Sequence, residues 1–180
     1  MNYKKDPFQK GIITLALFLV AVSVGAQISG QLYQDGYPYP LVKIYFDDVK
    51  PKVSSDFDGN FSLKIPQDSI PNTLVLSYNG INLHIVNCPL EATAKLDLGK
   101  VILPKYKQLT IEEYKHLKRK ERKECRPLYQ GSALIGYESN HLLESSILQL
   151  HCKEGEGVPY TYDRKQNVFT ITWEDFATCK

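Results

Sequence analysis

From Ile28 to Leu103 apolar and polar residues alternate in short runs, and turn residues break the runs about every 8–12 positions. A period of two places alternate side chains on opposite faces of an extended chain, so each run reads as a half-buried strand. Ile28 to Tyr33 is the first, closed by Gln34-Asp35-Gly36, where Gly36 can take a positive φ. Tyr37-Pro38-Tyr39-Pro40 cannot lie inside a paired central strand, because proline lacks the backbone donor. Val42 to Phe46 is the second strand, and a short one near Val53 precedes Asp56-Phe57-Asp58-Gly59-Asn60. Phe61, Leu63 and Ile65 then alternate with Ser62 and Lys64, and Leu74, Leu76 and Tyr78 repeat the pattern before the hairpin signal Asn79-Gly80. Strands near Ile81 to Val86 and Lys95 to Leu103 bring the expected number to seven. Seven short antiparallel strands imply a two-sheet β-sandwich, so the fold class is mainly β.

The acidic stretch at Asp56 invites a calcium reading. An EF-hand loop needs Gly at position six and Glu at twelve; counted from Asp56, Gly59 is fourth and Gln67 twelfth. An Asp-Gly turn between two strands accounts for the same residues without a metal.

Four spaced motifs carry a family resemblance. They are Ile28-x-Gly30; Gly36-x-Pro38-x-Pro40-x-Val42-x-Ile44; Ser55-Asp56-x-Asp58-Gly59-x-Phe61-x-Leu63-x-Ile65-Pro66; and Leu74-x-Leu76-Ser77-Tyr78-x-Gly80. Together they resemble the carboxypeptidase-regulatory-like domain over residues 27–103. The resemblance implies a seven-stranded, transthyretin-like (prealbumin-like) sandwich that performs no catalysis, so no catalytic residue carries over. Such domains follow the catalytic unit of some metallocarboxypeptidases, begin many TonB-dependent outer-membrane receptors and occur in other exported bacterial proteins. Ile81 departs from the pattern, which usually has an aromatic residue after the glycine. Nothing after residue 104 resembles a peptidase, a receptor plug or a membrane barrel.

The N-terminus points outside the cytoplasm. Lys4, Lys5 and Lys10 precede an uncharged run from Gly11 to Ala26 that would rise ~24 Å as a helix, short of the ~30 Å hydrocarbon core. Val24-Gly25-Ala26 fits the small-x-small rule, so residues 1–26 read as a cleaved signal peptide, with an uncleaved anchor as the alternative. The destination is the periplasm, the outer-membrane face or the medium. Cys88, Cys125, Cys152 and Cys179 all lie in the exported part, and four thiols in an oxidising compartment read first as two disulfides. Three pairings are open. Cys152 with Cys179, flanking one hairpin, and Cys88 with Cys125, tying the two halves, is the preferred set; free buried thiols are the alternative.

Charge separates the rest of the chain. Five Lys face eight acids over 27–99, ten basic residues face four Glu over 100–126, and four basic residues face seven acids over 127–180. A near-neutral protein with a basic waist is not a nucleic-acid binder by bulk charge. In the waist (residues 104–126), Thr110 reads as an N-cap with Glu113 at N3, opening a helix from Ile111 to about Cys125 that Pro127 stops. Lys118, Arg119, Lys120, Arg122 and Lys123 would give that helix a face for anionic lipid headgroups, although four Glu on the same helix favour a plain solvated surface. Residues 127–180 read as a small α+β region: Asn140 to Leu150 fits helix or strand, and Val158–Tyr162 with Val168–Trp173 forms a hairpin.

No catalytic constellation emerges. His84, His116, His141 and His151 form no H-E-x-x-H, no Cys-x-x-Cys is present, and Ser132 and Ser139 lack a Gly-x-Ser-x-Gly elbow. Neither a catalytic or metal-binding residue nor a cofactor is expected. The expected role is an exported, non-catalytic accessory module of the cell envelope that binds a protein or glycan partner. Tyr33, Tyr37 and Tyr39, on and beside the Pro-rich loop, are the candidate contacts, unless they merely cover the end of the sandwich. A peptidase-associated or hydrolytic protein with its chemistry in the C-terminal half, and a basic-helix protein docking on anionic lipids, are the alternatives.

Overall fold

The computed structural model describes residues 26–47, 49, 52–65, 71–90, 95–144, 148–149 and 158–177. The signal-peptide segment up to residue 25 and the Cys152–Cys179 pair lie outside them.

The chain is mainly β. Its central strand, β1 (Gln27–Gln34), is flanked by the hairpin strand β2 (Tyr37–Pro38) and by β5 (Asn60–Lys64) on one side. On the other side it pairs in parallel with β8 (Lys95–Ile102), which in turn pairs with β12 (Leu148–Gln149). A second sheet orders β13 (Thr161–Asp163), β14 (Val168–Thr172), β7 (Ile81–Val86), β6 (Leu74–Tyr78), β3 (Lys43–Phe46) and β4 (Val53–Ser54) from edge to edge. The alternation in the sequence decides which faces turn inward: Ile28 and Leu32 from the first sheet, and Ile44, Leu76, Leu83 and Ile85 from the second, are buried in one apolar cluster. Each such side chain contributes about 1.5–3 kcal/mol of transfer free energy.

Turn chemistry sets the register. Asp35 and Gly36 take φ of 53° and 82°, and Asn79 and Gly80 take 45° and 77°, the backbone of two-residue type I′ hairpins that match strand twist. Asp56 Oδ1 accepts from the N–H groups of Asp58 (3.0 Å) and Asn60 (2.8 Å), so this carboxylate organises the β4–β5 turn. Pro38 sits in an edge strand, where its missing donor costs nothing.

The C-terminal hairpin forms as expected and joins the second sheet. β14 lies in parallel beside β7, with Val168 opposite Asn82 and Thr172 opposite Val86, and contributes Phe169 and Ile171 to the common cluster. A third sheet orders β10 (Cys125–Gln130), β11 (Ala133–Leu143) and β9 (Tyr106–Leu109). The stretch from Asn140, open to helix or strand by sequence, continues β11 as far as Leu143.

Two expectations are corrected. The single helix from Ile111 to Cys125 is instead α1 (Ile111–His116) and α2 (Arg119–Arg122). The capping box forms as read: Thr110 Oγ1 accepts from Glu113 N–H at 3.1 Å, and Thr110 N–H donates to Glu113 Oε2 at 2.8 Å. Extended backbone at Leu117 and Lys118 (ψ 149° and 153°) then breaks the run. Arg122 fills the carbonyls that a continuing helix would have used, donating from Nε to Leu117 O (2.9 Å) and from Nη2 to Lys115 O (3.0 Å). Pro127, expected to stop the helix, sits in the outer strand β10 opposite Tyr137. The Cys88–Cys125 disulfide is also absent, since both are free thiols. Cys88 belongs to the apolar cluster and donates to Ile85 O at 3.4 Å, whereas Cys125 opens the third sheet and donates to Glu121 O at 3.5 Å.

Candidate functional site

Residues from all three sheets line one polar cleft of about 390 Å³. The β1–β2 turn supplies Gln34, the β6–β7 turn Asn79, the segment after β8 Lys105 and Tyr106, and the third sheet Arg126 and Glu138. Lys105 Nζ reaches Asp35 Oδ1 at 3.0 Å and Glu144 Oε2 at 3.2 Å, and these two hydrogen bonds raise its pKa above the ordinary lysine value. Arg126 pairs with Glu138 across the β10–β11 ladder.

Neutral hydrogen bonds fix the walls. Pro104 O accepts from the buried Tyr78 hydroxyl at 2.8 Å and from Gln34 Nε2 at 3.1 Å. Burial, with Tyr39 and Tyr106 close by, raises the Tyr78 phenol pKa well above its usual range. Gly80 O accepts from Tyr106 Oη and from Asn167 Nδ2, both at 3.1 Å, and Asn167 Oδ1 accepts from Tyr162 Oη at 3.0 Å. The C-terminal hairpin is thereby tied to the β6–β7 turn. Burial also raises the Tyr106 phenol pKa, against an opposing hydrogen bond with Asn167.

Two of the three candidate tyrosines adjoin residues that line the cleft. Tyr37 stands directly opposite Gln34 in the antiparallel ladder, and paired residues of that kind point to the same face. Its side chain is therefore on the same face as that of Gln34, with the residue 76% exposed. Tyr39 is half-buried, meets Tyr78 edge-to-face at 6.0 Å and accepts a hydrogen bond from Asn79 Nδ2. Tyr33 follows Leu32 and precedes Gln34 on β1, so it faces the other way, with Lys100 Nζ 5.1 Å from its ring centre. Arg126 and Glu138 were missed by sequence reasoning. The readable signal was Gly131-Ser132 between Leu128-Tyr129 and Leu134-Ile135, a hairpin turn that would have paired their two strands.

Ser139 and His141 also meet, with Oγ 3.1 Å from Nδ1. The serine is fully buried, and its Oγ accepts from the N–H groups of His141 (3.3 Å) and Leu142 (3.2 Å), which pins it in a bend of β11. Burial lowers the His141 pKa, with Glu121 pulling the other way. A hydroxyl held this way braces the strand and offers no reacting atom a path to it. Among the described residues no group of three or more His, Cys, Asp or Glu is placed to hold a metal ion. Of the basic cluster, Lys118, Arg119, Lys120 and Lys123 are exposed, and Arg122 is occupied in closing α1.

No family model matches the chain, and no curated protein matches it. Among solved structures it is similar to the 9R-lipoxygenase from Cyanothece PCC8801, at TM-score 0.33 and 12% identity over 66% of this chain and 25% of that one. The chain thus spans about a quarter of that enzyme's length, and a likeness this slight says nothing of fold or activity.

Proposed function

We propose that this chain is an exported, non-catalytic accessory module of the bacterial cell envelope, built on a seven-stranded prealbumin-like sandwich of the carboxypeptidase-regulatory-like kind. It binds a protein or glycan partner through the β1–β2 hairpin that carries Tyr37 and the adjoining cleft. The observation that carries the reading is Tyr37 itself: a large aromatic side chain, three-quarters exposed, held by a tight hairpin directly opposite Gln34, a residue that lines the polar cleft. The basic start, apolar run and small-x-small site support export, and Cys152 with Cys179 remains the proposed disulfide. A photo-crosslinking side chain at position 37, introduced in the producing cells, tests the reading. It should trap a discrete envelope component, and no adduct at 37 alongside efficient capture from a control position on α1 would reject it.

A second reading draws on the four exposed cations of the waist, Lys118, Arg119, Lys120 and Lys123. Docking on anionic headgroups through them requires vesicle binding that falls steeply with salt, and salt-indifferent binding would reject it.

A further inference from the structure

The charges around the cleft are already matched to one another. Three carboxylates (Asp35, Glu138 and Glu144) surround two cations, Lys105 and Arg126, and each cation is held in an ion pair. An anionic ligand would face those carboxylates, which outnumber the cations. A cationic ligand would face Lys105 and Arg126 and compete with them for the same oxygens. Either charged ligand meets like charge at close range. An uncharged hydroxyl compound meets neither repulsion, and each of its hydroxyls both donates and accepts, so it can add to the lone pairs and N–H groups that the ion pairs leave over.

The rest of the site fits that ligand class. Tyr37 has no ring or hydrogen-bond partner among the described residues, so an aromatic face is available opposite Gln34, whose amide lines the cleft together with that of Asn79. Flat aromatic surface next to amides and carboxylates suits a pyranose ring, which has an apolar C–H face and a polar hydroxyl rim. The volume lies within the ~300–1,000 Å³ typical of small-molecule sites. The two shared carbonyls, Pro104 O and Gly80 O, each with two donors, hold the walls in place before any ligand arrives.

We infer that the cleft is a saccharide site for a short, uncharged oligosaccharide, stacked on Tyr37 with its hydroxyls on Asn79, Arg126 and Glu138. This rests on the accessory-module reading and supplies the chemistry of its partner.

Calorimetric titration of the exported chain tests it with N-acetylchitotetraose, cellotetraose and maltotetraose as neutral probes and trigalacturonate as the acidic one. At least one neutral probe should bind, with Kd changing less than about twofold between about 50 and about 500 mM NaCl. Tyr37→Ala, at an exposed position, should weaken binding about tenfold with an unchanged far-UV spectrum. The near-isosteric Glu138→Gln should weaken it as well. Absence of binding by all three neutral probes, binding indifferent to both variants, or a preference for trigalacturonate would each overturn the saccharide assignment. If position 37 still cross-links an envelope protein while no saccharide binds, the saccharide assignment falls and the accessory reading stands; if neither occurs, both fall.

Discussion

A Cβ placed on Gly59 would lie 2.3 Å from the carbonyl oxygen of Leu32, and Gly59 itself holds φ at +76°. Leu32 N–H donates to Gly59 O at 2.9 Å, while Leu32 O accepts from Tyr39 N–H at 2.8 Å. The β4–β5 turn is therefore pressed against the central strand at the point where the tyrosine-bearing segment leaves it. Gly59→Ala should destabilise the fold by on the order of 3 kcal/mol, because backbone must move as well as accept a strained φ. Gly36→Ala is the control: it has a similar φ of +82° but nothing within 4 Å of the new Cβ, so it should cost only about 1 kcal/mol. Urea unfolding of the pair measures the difference, and equal losses would contradict the close approach.

Ser55 governs the other side of the same segment. It is 2% exposed, and its Oγ accepts from Val42 N–H at 3.1 Å and donates to Tyr39 O at 3.0 Å. Between those contacts Leu41 sits at φ +60°, a left-handed conformation that costs an ordinary side chain roughly 1 kcal/mol, and it is 73% exposed. Ser55→Ala should lower stability by about 1–3 kcal/mol by stranding a buried donor and acceptor. Leu41→Gly should instead be neutral or stabilising by up to about 1 kcal/mol, since little burial is lost and the strain is relieved. Thermal unfolding of both variants decides, and a large loss in Leu41→Gly would show that the side chain holds the loop.

The buried thiol gives a pH dependence with a definite sign. Burial raises the Cys88 pKa from 9.0 to about 11, partly offset by a hydrogen bond from the Leu74 backbone. A group whose folded pKa is raised contributes stability that is complete below its unfolded pKa and is lost as pH climbs through the folded one. Stability should therefore decline between pH 9.0 and about 11 more steeply in the wild type than in Cys88→Ala. Chemical denaturation across that window measures both slopes, and parallel slopes would remove the thiol from the account.

At the capping box the expected effect is local. The carboxyl of Glu113 is held below its usual range, chiefly by its hydrogen bond to the Thr110 backbone, so this support exists above the unfolded pKa of 4.5 and disappears as pH falls through the folded value. Thr110→Ala should weaken α1 by about 1 kcal/mol. Because the helix buries no residue, the global unfolding temperature should hardly move. Amide exchange at Tyr114 should accelerate in the variant and, in the wild type, at low pH.

How far the sequence disclosed this molecule depends on the range of the forces involved. The turns at Asp35-Gly36 and Asn79-Gly80 are decided by two residues each, and the inward faces of Phe61 and Leu63 by a period of two, so both were readable. The break at Leu117 was not, because the agent is an Arg122 side chain folding back on the helix it follows. The cleft was half-readable: the Pro-rich loop drew attention to the hairpin that ends in Gln34, but Arg126 and Glu138 join Gln34 in the cleft only through the placement of the third sheet. Tyr33 faces away from Gln34 and Tyr37, since one step along a strand reverses the face. Nothing local distinguishes a bridged Cys88 and Cys125 from two free thiols, one buried after β7 and one opening the third sheet.

The parallel seat of β14 between β13 and β7 has a consequence for how the molecule is made. β14 lies far beyond β7 along the chain, yet it is interior to its sheet. Until it arrives, β7 presents an unzipped border bearing Ile81, Leu83 and Ile85. That border stays sticky on the nascent chain until β14 has been made, however early β7 itself has emerged.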